Sequence, residues 1–345
     1  MSGLLALEGG SVFHGESVGA DGLAAGEAVF TTGMSGYQEA VTDPSFSEQI
    51  VCFTAPMIGN YGVAAGRSES DRVHAKAVVM REARGPAWTD WLKERGVVAL
   101  TGIDTRSLVL ALRERGAMRA VAVAGDVTAE EAVAAALAQE PMAGRALARD
   151  VSTRELRFFA EEGRARIAVV DYGVKNSVLR RLAAAGAAVT VFPHDVDADT
   201  LAGFDGVLLS PGPGDPEPLA EEARVVGELI GRTNLLGICL GHQLLGVATG
   251  HETFKLPFGH RGANHPVLER ASGQVLVTSQ NHGFAVRAKD EEDATHISLY
   301  DGTVEGLSFP EQRARSLQFH PEAGPGPHDA WPLLSRWVDE VAAHA

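Results

Sequence analysis

The chain has 345 residues, of which 45% are hydrophobic, values typical of a globular protein with two domains. Its formal net charge of −15 argues against a nucleic-acid partner, which would require a basic face to bind phosphate. No apolar stretch approaches the roughly 20 residues of a membrane span, and the first residues lack a signal-peptide pattern. The chain has only two cysteines, Cys52 and Cys239, which fits a reducing compartment, so it is predicted to be cytoplasmic. Since no membrane span is found, no membrane contact is predicted.

Residues 1–150 are predicted to form a smaller α+β domain. Up to about residue 65 the sequence is rich in Gly, Ser and Thr and encloses short apolar runs, which predict short strands separated by turns. Helical periodicity follows, and the third helix opens with a capping box formed by Thr128 and Glu131. The predicted helices cover 89–94, 107–115 and 128–139. Residues 145–164 are charged, lack an apolar period and are predicted to be a linker.

Residues 165–345 are predicted to form an α/β domain with a parallel sheet. Short buried strands alternate with helices, the pattern of a parallel sheet covered on both faces by helices. The predicted strands are 167–170, 189–192, 207–209 and 235–238, and the helices are 174–185, 220–230 and 240–248. After residue 251 the sequence is rich in strands, at 275–279, 284–287, 296–300 and 316–319, and ends with a helix at 330–343.

A cysteine lies where one of these strands gives way to a helix. Gly237 and Gly241 flank Cys239 at the spacing of a nucleophile elbow, a tight turn that exposes the nucleophile. Glycine is expected at both positions because a side chain there would collide with neighbouring chain. The helix N-terminus favours a thiolate, and the N–H of Leu240 is expected to point toward an oxyanion. The alternative for Cys239 is a small buried cysteine at a strand end.

A cysteine nucleophile requires a base and a group that orients the base. His320 follows the apolar run 316–319, at a strand end, where open α/β folds place their ligands. Glu322 can reach back to the imidazole, and Pro321 limits the backbone between them. A His-Pro-Glu tripeptide alone is also compatible with a surface turn. His242 follows Cys239 closely but points elsewhere on the helix, so a packing role is predicted.

Two other motifs predict no chemistry. Residues 15–19 match the elbow pattern around Ser17, but no helix follows, so a hairpin is predicted there. His260, His265 and His282 lie among glycines and prolines without any recognised metal-binding motif. No metal site is therefore predicted.

The loop 209–216 follows a buried strand and is rich in glycine and proline. Its exposed N–H groups suit an oxyanion hole, and Pro213 leaves Gly212 or Gly214 as the donor, although a plain turn is the alternative. The chain contains no P-loop and no dinucleotide fingerprint. If ATP takes part in the reaction, another chain is expected to bind it.

Together, residues 237–243 and the His320-Pro321-Glu322 motif resemble the class I (triad) glutamine amidotransferases. Over nearly its whole length the chain more narrowly resembles the small, glutamine-hydrolysing subunits of carbamoyl-phosphate synthase. The segments that carry this narrower resemblance are 33–39, 42–45, 58–62, 102–106, 279–286 and 321–329. Small departures occur at Pro211 and at 261–263, and neither touches the triad motifs.

The resemblance implies that Cys239 attacks the side-chain amide of L-glutamine, that His320 transfers the proton and that Glu322 orients His320. It implies that the N–H groups of Leu240 and Gly212 hold the oxyanion. The positions that match glutamine-binding residues are Ser45, Gly212, Gly214, Leu240, Gln243, Asn281, Gly283 and Phe284. Since Ser45 lies in the N-terminal half, the resemblance places the site where the two domains meet.

The resemblance also implies a partner. Ammonia would travel through a tunnel to a separate large subunit, contacted by the N-terminal domain. There bicarbonate and ATP would complete carbamoyl phosphate for arginine and pyrimidine synthesis. ATP and magnesium would bind to that large subunit, so no cofactor is expected in this chain.

Three alternatives remain at this point. The chain could be the glutaminase component of another amidotransferase, such as one for anthranilate or GMP synthesis, although those would lack the N-terminal domain. It could be a non-catalytic scaffold that regulates a synthase, which the intact Cys239, His320 and Glu322 disfavour. It could also be a cysteine hydrolase or peptidase on the same fold, which the extra domain and the glutamine-pocket residues disfavour.

Overall fold

The computed structural model describes residues 2–344, which divide into two compact units. The N-terminal unit contains the described residues up to Ala143 together with Leu256–Arg261. The C-terminal unit contains Gly144–Lys255 and the described residues from Gly262 onward. No helix within residues 2–344 is long and apolar enough to cross a membrane.

The N-terminal unit is built around a closed sheet of seven strands in the order β1-β2-β8-β6-β4-β3-β9. Three neighbouring pairs are parallel, namely β3–β4, β4–β6 and β6–β8. The other four pairs are antiparallel. A separate short parallel pair joins β5 and β7. The strands are β1 (Ser2–Leu7), β2 (Val12–Ser17), β3 (Gly22–Thr31), β4 (Gln49–Phe53), β5 (Met57–Ile58), β6 (Ala77–Val79), β7 (Glu82–Ala83), β8 (Val98–Thr101) and β9 (Met118–Ala124).

Helices pack against this sheet through apolar faces. Leu108 and Leu112 of one helix join the core that the sheet encloses, while Trp88 and Leu92 of another lie in a second cluster. The helices are α1 (Tyr37–Thr42), α2 (Pro86–Glu94), α3 (Thr105–Arg115) and α4 (Ala129–Leu137). The predicted capping box is present, with Thr128 and Glu131 bonding each other's backbone N–H at the start of α4.

The C-terminal unit contains a ten-stranded sheet in the order β10-β12-β11-β13-β14-β19-β18-β16-β15-β17. Its centre, from β12 to β19, is parallel, and antiparallel strands extend it on both sides. The strands are β10 (Arg157–Ala160), β11 (Ala165–Val170), β12 (Ala187–Phe192), β13 (Gly206–Leu209), β14 (Asn234–Ile238), β15 (Glu252–Glu269), β16 (Val275–Arg287), β17 (Ala294–Ser298), β18 (Val304–Phe309) and β19 (Ala314–Leu317).

Helices cover both faces of the parallel centre, and each face has its own apolar core. Leu182 and Trp337 belong to the cluster on one face, and Val226 and Leu244 belong to the cluster on the other. The strands between them are therefore buried on both sides, as parallel sheets require. The helices of this unit are α5 (Ala148–Val151), α6 (Asn176–Ala184), α7 (Ala198–Leu201), α8 (Ala220–Leu229), α9 (Leu240–Ala248) and α10 (Trp331–Ala343).

The predicted fold class is confirmed, since an α+β unit precedes a parallel-sheet α/β unit. The segment 145–164, predicted to be a linker, instead belongs to the C-terminal unit and contains α5 and β10. Strand β10 pairs with β12 at one edge of the sheet. The units accordingly divide after Ala143 rather than within 150–165, and Leu256–Arg261 returns to the N-terminal unit.

Candidate active site

Cys239 occupies the turn between β14 and α9, at the carboxyl end of a central strand. Its N–H donates to the carbonyl of Leu317 at 2.8 Å, and its own carbonyl accepts from the N–H of Gln243 at 3.1 Å. Its backbone has φ 53° and ψ −104°, a conformation that a residue with a side chain rarely adopts. Backbone strain of this kind is found at nucleophile elbows, where it presents the side chain of the turn residue.

The glycines beside Cys239 are required by close backbone packing. A Cβ atom at Gly237 would lie 2.4 Å from the carbonyl oxygen of Gly241. A Cβ atom at Gly241 would lie 2.2 Å from the carbonyl oxygen of Leu209. Since Cβ atoms do not approach oxygen so closely, any larger residue would displace the turn. This confirms the reason for which the sequence predicted glycine at both positions.

The structure brings His320 and Glu322 together beside Cys239. His320 follows β19, and its N–H bonds the carbonyl of Ser279 on β16 at 2.9 Å. Its Nδ1 lies 2.7 Å from Oε1 of Glu322. The side chain of Cys239 acts on the His320 ring and favours its charged form. Nε2 of His320 is buried and has no hydrogen-bond partner among residues 2–344, so the ring is held only through Nδ1, by Glu322.

The electrostatics of this pair favour a charged imidazole and a charged carboxylate. Burial and the charge of Lys175 would lower the pKa of His320. The negative charge of Glu322, its hydrogen bond to the ring and the interaction with Cys239 outweigh these two effects and raise the pKa of His320. Burial would raise the pKa of Glu322, but the charges of Lys175 and His320 hold it well below its usual range. Because Glu322 is ionised, Nδ1 of His320 donates to it, which leaves Nε2 as the nitrogen available for proton exchange.

Lys175, which no sequence motif identified, completes this group. Its Nζ lies 2.6 Å from Oε1 of Glu322, the same oxygen that accepts from His320, and 3.5 Å from the carbonyl of Gly324. Lys175 is only 2% exposed, directly before α6. A lysine in a strand-to-helix connection at the carboxyl edge of the sheet is the signal that could have identified it. It neutralises a carboxylate that burial alone would protonate.

We expect Lys175→Met to destabilise the protein strongly. The change removes one of the two cations that pair with the buried carboxylate of Glu322 and leaves His320 as the other, so it should cost up to about 3–5 kcal/mol, the value for breaking a buried ion pair. For a unit of this size that corresponds to a fall in Tm of about 6–20 °C, measurable by thermal unfolding at pH 7. The control is Lys76→Met, which breaks a 2.6 Å ion pair with Glu48 that is partly exposed to solvent and should cost less than about 1 kcal/mol.

The difference in Tm between the wild-type chain and Lys175→Met should depend on pH, and the direction follows from the pKa of Glu322. The pKa of Glu322 is depressed in the folded protein, so its contribution to stability is present at neutral pH and is lost as the pH falls. Without Lys175, only His320 holds the pKa of Glu322 down, so Glu322 is protonated at a higher pH than in the wild-type chain. The gap in Tm between the wild-type chain and Lys175→Met should therefore narrow on acidification. A gap that stays constant as the pH falls from 7 to well below 4.5, the ordinary pKa of a glutamate, would contradict the assigned ion pair.

Most of the predicted glutamine-pocket residues lie near Cys239 in the C-terminal unit. The carbonyl of Asn281 is 3.7 Å from Sγ of Cys239. Nε2 of Gln243 donates to the carbonyl of Phe284 at 2.9 Å, which ties α9 to β16. A Cβ atom at Gly212 would lie 2.9 Å from Cδ2 of Leu240, so these two predicted oxyanion donors are neighbours. Their contacts with glutamine stay predictions.

Other predicted residues are placed without a direct link to the triad. Gly214 has φ +95°, and a Cβ atom there would lie 2.6 Å from the carbonyl oxygen of Arg145. Gly283 lies within β16. Ser45 lies in the N-terminal unit, in the 3-10 turn Pro44–Phe46, where its N–H bonds Asp43 and its buried hydroxyl has no partner among residues 2–344. Its predicted contact with glutamine stays a prediction.

Two of the weaker motifs are also accounted for. Ser17 ends β2, which pairs with β1 and β8, so no helix follows it and the elbow-like match there is a strand of the closed sheet. His242 is fully buried, and its Nδ1 lies 2.8 Å from Oγ of Ser316. Burial lowers the pKa of His242 to about 3, so the ring stays neutral and serves packing, as predicted.

Comparison with known proteins agrees with this geometry. Residues 168–339 match the class-I glutamine amidotransferase family, and the C-terminal unit is therefore a class I glutamine amidotransferase domain. Residues 5–122 match the CPSase domain of the carbamoyl-phosphate synthase small chain.

Relatives similar over their full length identify the family. The carbamoyl phosphate synthase small chain of Pseudomonas syringae pv. tomato is 43% identical, over 98% of each chain. The one from Xanthomonas campestris pv. campestris is 44% identical, also over 98% of each chain. The one from Thioalkalivibrio sulfidiphilus is 44% identical, over 97% of this chain and 96% of the relative. The chain belongs to the carbamoyl phosphate synthase small chain family, enzymatic subunits of a ligase complex.

Proposed function

We propose that this chain hydrolyses L-glutamine through a Cys239–His320–Glu322 triad and supplies ammonia to a large subunit that makes carbamoyl phosphate. One observation carries the proposal. A cysteine held at a strained strand-to-helix turn faces an imidazole whose other nitrogen is fixed, at 2.7 Å, by a buried carboxylate. A nucleophile, a base and an orienting group in this arrangement support acyl transfer.

The proposed reaction begins when the sulfur of Cys239, as a thiolate beside the protonated imidazole of His320, attacks the side-chain amide carbon of glutamine. The carbonyl electrons move onto oxygen, and the N–H groups of Leu240 and Gly212 would hold that oxyanion. When the intermediate collapses, the C–N bond breaks and Nε2 of His320 gives its proton to the departing ammonia. A glutamyl thioester remains on the sulfur.

Water completes the cycle. Nε2 of His320, now unprotonated, takes a proton from water as its oxygen attacks the thioester carbon. The C–S bond then breaks, glutamate leaves and the sulfur is restored. Glu322 keeps Nδ1 occupied throughout, so both proton transfers pass through the nitrogen beside Cys239. Lys175 keeps Glu322 ionised during these steps.

The partner follows from the family. A small chain in this family implies a large chain, and we propose a heterodimer in the cytoplasm in which the large chain binds ATP and magnesium. Since the sequence contains no P-loop, phosphorylation of bicarbonate belongs to that partner. Ammonia would pass to it through a tunnel, and the carbamoyl phosphate formed would supply arginine and pyrimidine synthesis.

Reconstitution with the large chain tests this proposal. We expect the isolated chain to hydrolyse glutamine slowly and the large chain to raise the rate by roughly tenfold or more, the scale of a coupling free energy of 1–3 kcal/mol. Glutamate release and carbamoyl phosphate formation from glutamine, bicarbonate and ATP are measured together. A full glutaminase rate without the partner would argue against partner-dependent activity, and absence of carbamoyl phosphate would favour another amidotransferase complex. Lack of glutaminase activity in both samples would favour a regulatory scaffold.

A further inference from the structure

The C-terminal unit contains a cavity of about 610 Å³ to which the proposed reaction assigns no role. None of Cys239, His320 and Glu322 lines it. Its volume falls within the roughly 300–1,000 Å³ of sites that hold small molecules. The residues along it belong to β14, β17, β18, β19 and α10 and to the end of β15.

The cavity has an apolar floor. Leu236, Leu307 and Leu317 are buried and line it, and Leu333 of α10 closes one side. Leu236 and Leu317 lie on β14 and β19, the two strands that lead to Cys239 and His320. An occupant would therefore pack its apolar part against the strands that carry the nucleophile and the base.

Within the cavity wall, His296 offers a polar atom that the protein leaves without a partner. The residue is 7% exposed, and its Nδ1 lies 2.9 Å from Oγ1 of Thr295. Its Nε2 is buried and makes no hydrogen bond among residues 2–344, and Oε1 of Glu269 lies 3.9 Å from it. Burial lowers the pKa of His296, with Glu269 acting against this and Arg336 acting with it, so the ring is neutral at pH 7. A buried polar atom without a partner is costly unless a ligand or water satisfies it.

Two opposite charges, those of Arg336 and Glu269, act on this histidine. Arg336 donates to the carbonyl of Pro332 at 3.4 Å but pairs with no carboxylate among residues 2–344. Oε2 of Glu269 accepts from the hydroxyl of Ser272, and its Oε1 lies 3.9 Å from Nε2 of His296. By contrast, Arg315 at the same cavity is already paired with Glu340. Arg270, whose guanidinium bonds main-chain carbonyls, and Glu292 also line the cavity, but Arg336 and Glu269 are the charged groups that act on His296.

From this arrangement we infer that the cavity binds a small zwitterion with an apolar body, of the class of hydrophobic α-amino acids. The carboxylate would lie against Arg336 and Nε2 of His296, the ammonium against Glu269, and the side chain on Leu307, Leu317 and Leu333. A simple carboxylic acid would place its charge beside Glu269 without compensation, and a simple amine would meet Arg336 in the same way. A molecule that carries both charges matches Arg336 and Glu269 together.

Calorimetric titration of the full-length chain with L-phenylalanine tests the inference. Two matched analogues each lack one charge, 3-phenylpropanoate without the ammonium and phenethylamine without the carboxylate. We expect phenylalanine to bind at least about tenfold more tightly than either, because each lost charge removes a charge-assisted hydrogen bond. Equal affinity for all three compounds, or no binding of phenylalanine, would overturn the inference.

Variants locate the site. Arg336→Gln and Glu269→Gln should each weaken phenylalanine binding by about tenfold or more, whereas Arg154→Gln, at an exposed position outside the cavity, should leave it unchanged. Phenylalanine should also still bind to the Cys239→Ser chain saturated with glutamine. Displacement by glutamine would place phenylalanine in the catalytic pocket, and insensitivity to both cavity variants would place it elsewhere. Either result would refute the assignment.

Discussion

The Cys239→Ser chain, assembled with its large subunit, should lose glutamine-dependent synthesis of carbamoyl phosphate and keep ammonia-dependent synthesis. A hydroxyl at the elbow is a far weaker nucleophile than the sulfur, and loss of a triad nucleophile lowers kcat by up to about 10⁶-fold. Ammonia added to the solution bypasses the small chain, so the large subunit reports that the complex is intact. Both rates are measured in one preparation as carbamoyl phosphate formed per minute.

The second cysteine provides the matched control. Cys52 lies in β4 of the N-terminal unit and is 1% exposed. Burial raises the pKa of its thiol to about 12, so it is not a nucleophile at neutral pH. Cys52→Ala should keep glutaminase activity even if it lowers Tm. Glutaminase activity that survives Cys239→Ser would show that the nucleophile has been assigned to the wrong residue.

His320→Ala and Glu322→Ala should both damage catalysis, and His320→Ala should do so more severely. Loss of the base in a triad costs about 10⁶-fold in kcat, whereas loss of the orienting carboxylate costs about 10⁴-fold. The difference arises because an imidazole without its carboxylate still transfers protons, although its orientation is less well defined. Single-turnover glutamate release by the two variants measures the difference of roughly two orders of magnitude.

An exposed histidine serves as the control for this pair. His14 lies on the exposed side of β2, and His14→Ala should leave kcat and KM for glutamine unchanged. Equal losses in His320→Ala and Glu322→Ala would contradict the division of roles between base and orienting group. Such a result would point to a joint action of the buried pair, with Lys175 as its third member.

Features that depend on local sequence were predicted correctly. The strand-turn-helix around Cys239 combines an apolar run, two glycines and a helical period within a few residues, and the structure contains that turn with the predicted steric reason for each glycine. The same holds for the capping box of α4, where Thr128 and Glu131 are three residues apart. Such features can be predicted because the residues that form them, and the physical reason for each, lie within a few positions of one another.

Features that depend on contacts distant in sequence could not be predicted. The role of Lys175 depends on its ion pair with Glu322, a residue far away in the sequence that only the folded chain brings next to it. Strand β10 was missed because Phe158 and Phe159 are exposed at the sheet edge, so burial does not impose an alternating pattern. Strand β15 contains Pro257 and Pro266, residues that lower any strand prediction.

The unusual main-chain geometry at Cys239 has a consequence for relatives of this chain. Its positive φ carries a strain of about 1–3 kcal/mol, which glycine would not incur. The fold imposes that geometry through the packing of Gly237 and Gly241, whatever residue occupies the turn. In a descendant that had abandoned glutamine hydrolysis, glycine at this position would relieve the strain, and only the lost packing of the small buried side chain would oppose the change. Glycine is therefore the residue expected at this turn in relatives that no longer need a nucleophile there.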